Sequence, residues 1–484
     1  MVNKRGAKRP EREGSFVSSL VVFLLCVTVI LFGVMVLKLD AHIPLVAAIA
    51  VSSLYGVFVL RIPYSELEQA MLRSLHDALG AILLLMTIGP LIAAWISCGT
   101  VPYIIYLGLG LIAPSWFLVF VALMCAILSA VTGSSWTTVG TIGVAFIGIS
   151  IGMGISLPLT AGAILCGAYF GDKVSPISDV VVFNSGIAKV PIFHHVKYVL
   201  YTTVPAFALS LILFFFLGLQ YGGKSLDVSA ISAIRNGLAE TFHFGPVLWL
   251  PMLAVAAGIF LKVPAVPSLW LGTVTGGLIS VLLQGAAVRQ FLGYLFSGFS
   301  IQTGSDSLDT ILNRGGMTSM MYIIALVICS MSMAGVFDRT KMLLKVAERL
   351  TRITHTRVGL IVTTLVTGII TSFVASDPYI AALIPVKAYE KEYERQGLDR
   401  CVLSRTVSDG GICFAPLVPW GSNGVFCSTT LGIAVGAYLP FYLMAFLTPV
   451  FSILTAVTGI GIRYVTEAAP KEQEHGPADS VQRQ

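Results

Sequence analysis

Apolar runs long enough to cross a bilayer recur along nearly the whole chain, and no soluble fold accommodates that pattern. They stand at about 16–38, 41–60, 78–97, 101–113, 116–131, 138–170, 198–219, 246–262, 266–284, 317–337, 358–386, 401–419 and 428–461, some broken or fused. A bilayer core takes roughly 20 apolar residues per helix, so the chain is predicted to be an all-α polytopic membrane protein with about 10–13 transmembrane helices. Composition agrees: 56% of residues are hydrophobic and only 11% are charged, against about 25% charged in soluble domains. The net charge of +6 comes partly from Lys4, Arg5, Lys8 and Arg9, ahead of the first run. These read as a cytoplasmic anchor for the N-terminus, not as a nucleic-acid patch. Phe16–Leu37 is too long for a signal-peptide core and lacks a small-residue cleavage site, so it is expected to stay as the first helix.

The polar stretches divide the chain into a basic cytoplasmic N-terminus (1–15), leading helices (16–75), a first repeat (76–220), a connector with linking helices (221–310), a second repeat (311–464) and a disordered tail (465–484). Arg61 to Asp77, with Glu66, Glu68 and Arg73, is amphipathic and is expected to lie along the interface before the third span. Arg339 to Arg357 carries six basic residues and reads as another interfacial segment. The eight cysteines form no C-x-x-C pair and lie almost all inside apolar runs, as small buried hydrophobes do.

The repeat rests on matching interruptions. Trp95–Thr100 (W-I-S-C-G-T) finds a faint echo in Gly335–Thr340 (G-V-F-D-R-T). After each comes a long apolar span and a polar break, at Gly133-Ser134-Ser135-Trp136 in one half and at Ser376-Asp377-Pro378 in the other. A second break follows in both, Gly171-Asp172 through Asp179 and Ser408-Asp409 through Trp420-Gly421-Ser422-Asn423. Thr100 to Asp172 spans 72 positions and Thr340 to Asp409 spans 69. Weak internal symmetry with interrupted hydrophobic segments at corresponding places is the mark of a secondary transporter. With an odd number of crossings per repeat the halves are inverted, and the four breaks converge near the midplane.

The residues at these breaks are those a small cation needs. Carboxylates, hydroxyls, amide oxygens and freed backbone carbonyls are its ligands. One half supplies Ser134, Ser135, Thr137, Asp172, Ser175, Ser178, Asp179 and Asn184, and the other Ser376, Asp377, Asp409, Ser422 and Asn423. Asp172, Asp179, Asp377 and Asp409 are the candidate ligands of a transported sodium ion. Pro176 breaks the helix beside them, and Trp136 and Trp420 are candidate gating or packing aromatics. An ionised Asp at a bilayer centre costs roughly 3 kcal/mol on insertion scales, so such residues are usually placed for function. Burial moves a carboxylate's proton exchange toward neutral pH, and one Asp can then hold either a proton or a metal cation. Plainer roles compete with this one. Asp172 could pair with Lys173, Asp409 with Arg405 one turn earlier, and Asp377 could cap the helix that Pro378 begins. His194 and His195, beside Lys189 and Lys197, read as a basic interfacial loop ahead of a pH sensor. Asp306 and Asp309 read as a polar helix entry.

These motifs resemble the NhaC family of sodium/proton antiporters. The similarity runs over about residues 40–460: H-I-P-L from His42, A-W-I-S-C-G-T-V-P from Ala94, P-S-W-F-L-V from Pro114, T-G-S-S-W-T-T-V-G-T from Thr132, Y-T-T-V-P from Tyr201, R-G-G-M-T-S-M from Arg314, L-S-R-T from Leu403 and V-P-W-G from Val418. Its most specific part is G-A-Y-F-G-D-K-V-S-P-I-S-D from Gly167 to Asp179. The resemblance implies an ion-coupled carrier with inverted repeats, broken helices and re-entrant hairpins. More distant analogy adds an elevator-type motion and a homodimer. Three places depart from the family pattern. Val180, Val181 and Val182 replace T-T-N, Ser408 to Ile412 (S-D-G-G-I) replaces E-D-S-G-T, and Gly421-Ser422-Asn423 replaces N-T-C. Such changes could reshape a sodium site for an organic solute.

The expected function is exchange of sodium for protons across the cytoplasmic membrane through an aspartate-centred site. The alternative is a sodium- or proton-coupled carrier of an amino acid or organic acid. Lipid and a small cation or solute are the expected partners, with no nucleic acid. Na+ and H+ enter as cargo, and no cofactor is expected. A channel lacks repeated filter motifs here, and an enzyme lacks H-E-x-x-H, G-x-S-x-G or a Cys/His cluster.

Overall fold

The computed structural model describes residues 14–222, 228–261, 263–342, 344, 345, 349, 356–375 and 377–464. The basic cluster from Lys4 to Arg9, Ser376 and the tail from residue 465 lie outside the described residues. Those described are overwhelmingly helical, and their only β pairing is an isolated bridge between Leu398 and Tyr464. Among the described residues eight helices are long and apolar enough to span a membrane, or up to eleven if each of three bent pairs is one span. The chain is thus an all-α polytopic membrane protein, at the low end of the expected helix count.

Breakers divide two of the expected apolar runs. The apolar run 138–170 is split by a turn in which Gly154 has φ +64°, giving helices Val144–Gly152 and Leu157–Val174. The run 358–386 is split before Pro378, where Asp377 caps the helix Pro378–Arg395. Proline is well placed in a first helical turn, where its missing N–H costs nothing. Thr100–Leu111 is simply short, at 12 residues.

From Tyr64 the amphipathic stretch Arg61–Asp77 is the start of one continuous 34-residue helix, Tyr64–Ser97, whose apolar span begins at Ala78. That helix contains no proline before Pro90, and its Glu66 pairs with Arg339 in the last turn of Met317–Thr340. One expectation about a loop is corrected. His194 and His195 are not in a loop but in the first turn of the helix Ile192–Leu219, with His195 buried.

The helices pack as two groups. In the first, Tyr64–Ser97 lies between Met317–Thr340 and Ala265–Leu282, with His42–Leu54 against Met317–Thr340. In the second, Pro114–Thr132 runs along Leu157–Val174, Ile192–Leu219 packs on both, and Arg357–Ala375 packs on Pro378–Arg395 and on the π-helical turn Ser408–Ile412. A close helix–helix approach is made at Gly167 and Gly171, one turn apart. A methyl group at either would collide with the carbonyl of Ala122 or Ala126 on the facing helix. Small residues at that spacing let membrane helices meet backbone to backbone. The contact brings Asp172 to the end of Pro114–Thr132, where the chain breaks.

Candidate functional site

Asp172 lies in the last turn of Leu157–Val174. That helix stops because Ser175 is extended and Pro176 follows it, and helix resumes at Asp179 with Ser178 as its cap. The facing helix ends at Gly133, whose φ of +67° only glycine adopts readily. Ser134 then caps the short helix Ser135–Thr138, accepting from Thr137 N at 3.2 Å and from the Thr137 hydroxyl at 3.0 Å. Gly133 packs against Ile177, so the two breaks touch. Their serines converge on one carboxylate: Ser135 donates to Asp172 Oδ2 at 2.7 Å and Ser178 to Oδ1 at 2.6 Å. Ser175 donates to the Ala130 carbonyl at 2.8 Å and pins the two breaks together.

The second half meets this point from the other side. Asp377 accepts from Ile380 N at 2.9 Å and is buried. The next residue but one, Tyr379, donates its hydroxyl to Asp179 Oδ2 at 2.5 Å and sets its ring edge-on to Phe183. Ser422 and Asn423 open the helix Ser422–Leu431. Asn423 Oδ1 accepts from Trp136 Nε1 at 2.8 Å and from the Tyr169 hydroxyl at 2.7 Å, while Trp136 stacks on Phe426.

Many of these residues line a cavity of about 1150 Å³ between the two helix groups, with Ser175, Ser178 and Phe426 outside its lining. Ser134, Ser135, Trp136, Thr137, Asp172, Asp179, Asp377, Ser422 and Asn423 all face it. Ile177, Val180, Phe183, Ile380, Leu383 and Ile384 form an apolar wall, and Ser74, Ala78, Leu269, Val327 and Met331 of the first helix group close the opposite side. Its charged lining is Asp172, Asp179, Asp338 and Asp377, with no Lys, Arg or His among the described residues. Of the three valines that depart from the family pattern, Val180 lines the cavity, Val181 is buried and Val182 is exposed.

Several expected residues sit elsewhere. Three of the four aspartates share the cavity and Asp409 does not, and among the described residues no three His, Cys, Asp or Glu side chains gather as a metal cluster. Asp409 is fully buried behind the cavity, where its Oδ1 takes Lys173 Nζ at 2.6 Å and the Thr202 hydroxyl at 2.9 Å. Arg405 Nε stands 4.0 Å from its other oxygen. Lys173 therefore partners Asp409, not the neighbouring Asp172. Asn184 is buried and donates to the Ser404 carbonyl at 3.0 Å, tying helix Asp179–Ile187 to Arg400–Val407. Trp420 donates to the Phe373 carbonyl at 2.8 Å, and Pro176 is exposed. Outside the cavity, Asn184 and Trp420 brace the backbone around it.

Tyr169, Tyr379 and Asp338 line the cavity and were not singled out by sequence reasoning. A signal existed for Tyr169, which precedes Asp172 by one turn on the same helix face. The same geometry separates Asp172 from Lys173, since adjacent helical residues point about 100° apart.

Comparison with known proteins matches a family model described as the Na+/H+ antiporter family over residues 167–460. The chain is 37% identical over 453 residues to the Na(+)/H(+) antiporter NhaC of Alkalihalophilus pseudofirmus, covering 93% of this chain and 97% of that protein. It is 35% identical to the malate-2H(+)/Na(+)-lactate antiporter of Bacillus subtilis, over 85% of this chain and 88% of that protein. It is 33% identical to the arginine/ornithine antiporter ArcD of Halobacterium salinarum, over 98% and 96% respectively.

Proposed function

The chain belongs to the Na+/H+ antiporter family, and from that premise we propose that it exchanges sodium ions for protons across the cell membrane, with Asp172 as the carboxylate that holds either ion. The observation that carries this is the Asp172 site itself, a buried carboxylate that faces the cavity and accepts hydroxyls from both breaks at 2.7 and 2.6 Å. When sodium enters, Ser135 and Ser178 rotate their hydroxyl protons away and offer oxygen to the ion. When a proton takes its place, the same hydroxyls have a neutral acid to face. Hydroxyls serve both states because each is donor and acceptor at once. Asp179 and Asp377 supply negative charge along the entry path, which concentrates cations in a low-dielectric cleft.

The cavity is lined by Ser74 and Ala78 early in Tyr64–Ser97, by Asp338 late in Met317–Thr340 and by Val263 and Pro264 before Ala265–Leu282. Those positions lie toward the face where Glu66 pairs with Arg339 and where Lys341 follows. Basic residues favour the cytoplasmic side, so we assign this as the cytoplasm-facing state, with a cytoplasmic N-terminus.

A second reading, an organic cargo, is favoured by the size of the cavity and its apolar wall of Val180, Phe183 and Leu383. Four carboxylates and no basic lining residue among those described suit a cationic solute, such as a basic amino acid, better than an organic acid anion.

The test is purified protein in liposomes with an acidic interior. Sodium added outside is expected to alkalinise the interior, and Asp172→Asn is expected to abolish the response. Alkalinisation by ornithine or arginine with none by sodium, lithium or potassium would transfer the assignment to the organic cargo.

A further inference from the structure

Behind the cavity wall lies a cluster of charge that the exchange site leaves unused. Lys173, at the end of Leu157–Val174, reaches Asp409 Oδ1 at 2.6 Å, and Thr202 from Ile192–Leu219 donates to the same oxygen at 2.9 Å. Arg405 Nε is 4.0 Å from Oδ2, and both Arg405 and Asp409 are fully buried. In their ionised forms these groups sum to one net positive charge, two cations against one carboxylate.

The arrangement mirrors Asp172 in one respect and inverts it in another. Asp409 follows Thr340 by 69 positions as Asp172 follows Thr100 by 72. Both carboxylates stand where a helix departs from regular geometry, Asp172 before the Ser175 break and Asp409 in a π-helical turn. Each accepts hydroxyl groups, Ser135 and Ser178 at one and Thr202 at the other. At Asp172 no cationic side chain joins them from the cavity lining among the described residues. At Asp409 an ammonium is already seated against the carboxylate and a guanidinium stands behind it. A mobile cation would have to displace a tethered one and approach a positive cluster.

We propose that Lys173 is a resident cation that fills the Asp409 half-site, so that this half-site is closed to sodium and Asp172 is the buried carboxylate that takes cargo. The inference rests on the reading of Asp172 as a sodium site. It makes Lys173 a positioning residue. The same helix turn presents Asp172 to the cavity and, about 100° around the helix, anchors itself through Lys173 to the segment that carries Asp409. The carrier then binds one sodium ion at this core per cycle.

The experiment counts bound sodium on purified wild-type protein and on three variants, using equilibrium binding of radioactive sodium with thermal unfolding as a folding control. Wild type is expected to bind one sodium with a Hill coefficient of one. Lys173→Met combined with Asp409→Asn removes one charge of each sign and leaves the cluster's net charge unchanged, carried by Arg405, whose bond to the Gly461 carbonyl at 3.0 Å remains. It is expected to bind one sodium with affinity within about threefold of wild type. Asp409→Asn alone strands the ammonium and is expected to unfold at lower temperature, with Lys173→Met restoring stability. Asp172→Asn is expected to bind none. Two sodium ions on wild type, or loss of binding in a folded double variant while Asp172→Asn also binds none, would overturn the resident-cation role and leave Asp172 in place. Unchanged binding by Asp172→Asn would remove the Asp172 reading and this inference with it. The wild-type count decides the matter even if the double variant does not fold.

Discussion

The indole N–H of Trp136 donates to Asn423 Oδ1 at 2.8 Å, joining residues 287 positions apart at the first break of one half and the last break of the other. The Tyr169 hydroxyl shares that oxygen at 2.7 Å. One amide thus holds three elements around the cavity. Removing it leaves two donors without their acceptor, and a buried donor left unpaired costs about 1–3 kcal/mol. Asn423→Ala is therefore expected to lower stability by roughly 2–3 kcal/mol. Tyr169→Phe alone is expected to cost less, and adding it to Asn423→Ala to cost little more, because the stranded hydroxyl is gone. Unfolding in detergent, followed by tryptophan fluorescence, checks the order. Equal and additive losses would mean that the shared oxygen does not couple them.

The serines around Asp172 should separate binding from turnover. Ser135 and Ser178 each contact one carboxylate oxygen, and each would supply one ligand to a sodium ion held there. A hydrogen bond to a charged group contributes about 1.5–3 kcal/mol. Ser135→Ala and Ser178→Ala are each expected to raise the sodium KM about tenfold or more, with a smaller change in maximal rate. Sodium-dependent proton flux in liposomes reads both parameters. An unchanged KM in both variants would place the ion elsewhere in the cavity.

What could be read in the sequence follows from the range of each interaction. The breaks at Gly133, Ser175 and Asp377 are local, set by glycine, proline and capping residues, and the chain breaks at each of them. Asp172 with Ser135 and Ser178 came from two motifs already marked as polar islands in apolar sequence. The partner of Asp409 could not be reached that way. Local spacing pointed to Arg405, one turn earlier, which lies 4.0 Å away, whereas the ammonium in contact belongs to Lys173, 236 positions off. The partner of Glu66 was out of reach for the same reason, since Arg339 belongs to a helix distant in sequence.

The close crossing at Gly167 and Gly171 should tolerate no side chain. A Cβ at Gly171 would lie 2.5 Å from Ala130 N and 2.6 Å from the Ser129 side chain. Backbone on a packed helix cannot yield as a flexible side chain can, and overpacking of this kind costs about 1–3 kcal/mol or more. Separating the two helices also draws Asp172 away from Ser135. Gly171→Ala is expected to lose sodium-dependent transport while Gly186→Ala, where a Cβ meets nothing within 4 Å, keeps it. Expression level and flux measured side by side distinguish lost function from lost protein. Full transport by Gly171→Ala would mean that the spacing of the helices does not set the Asp172 site.

Exchange at a single carboxylate fixes how sodium transport responds to pH. If a proton and a sodium ion compete for Asp172, protonation removes the site that sodium needs, so acid weakens apparent sodium affinity and alkali restores it. One proton per site raises the sodium KM by about tenfold for each pH unit on the acid side, with the maximal rate at saturating sodium unchanged. Above the carboxylate's own range the KM becomes flat. Initial rates in liposomes, with sodium varied at each pH, give the slope directly. A slope of two would require a second titrating group to exchange with the same ion, with Asp377, buried and lining the cavity, as the first residue to change to Asn. A KM independent of pH, with only the maximal rate falling in acid, would separate the proton's site from the sodium's and remove Asp172 from one of its two roles.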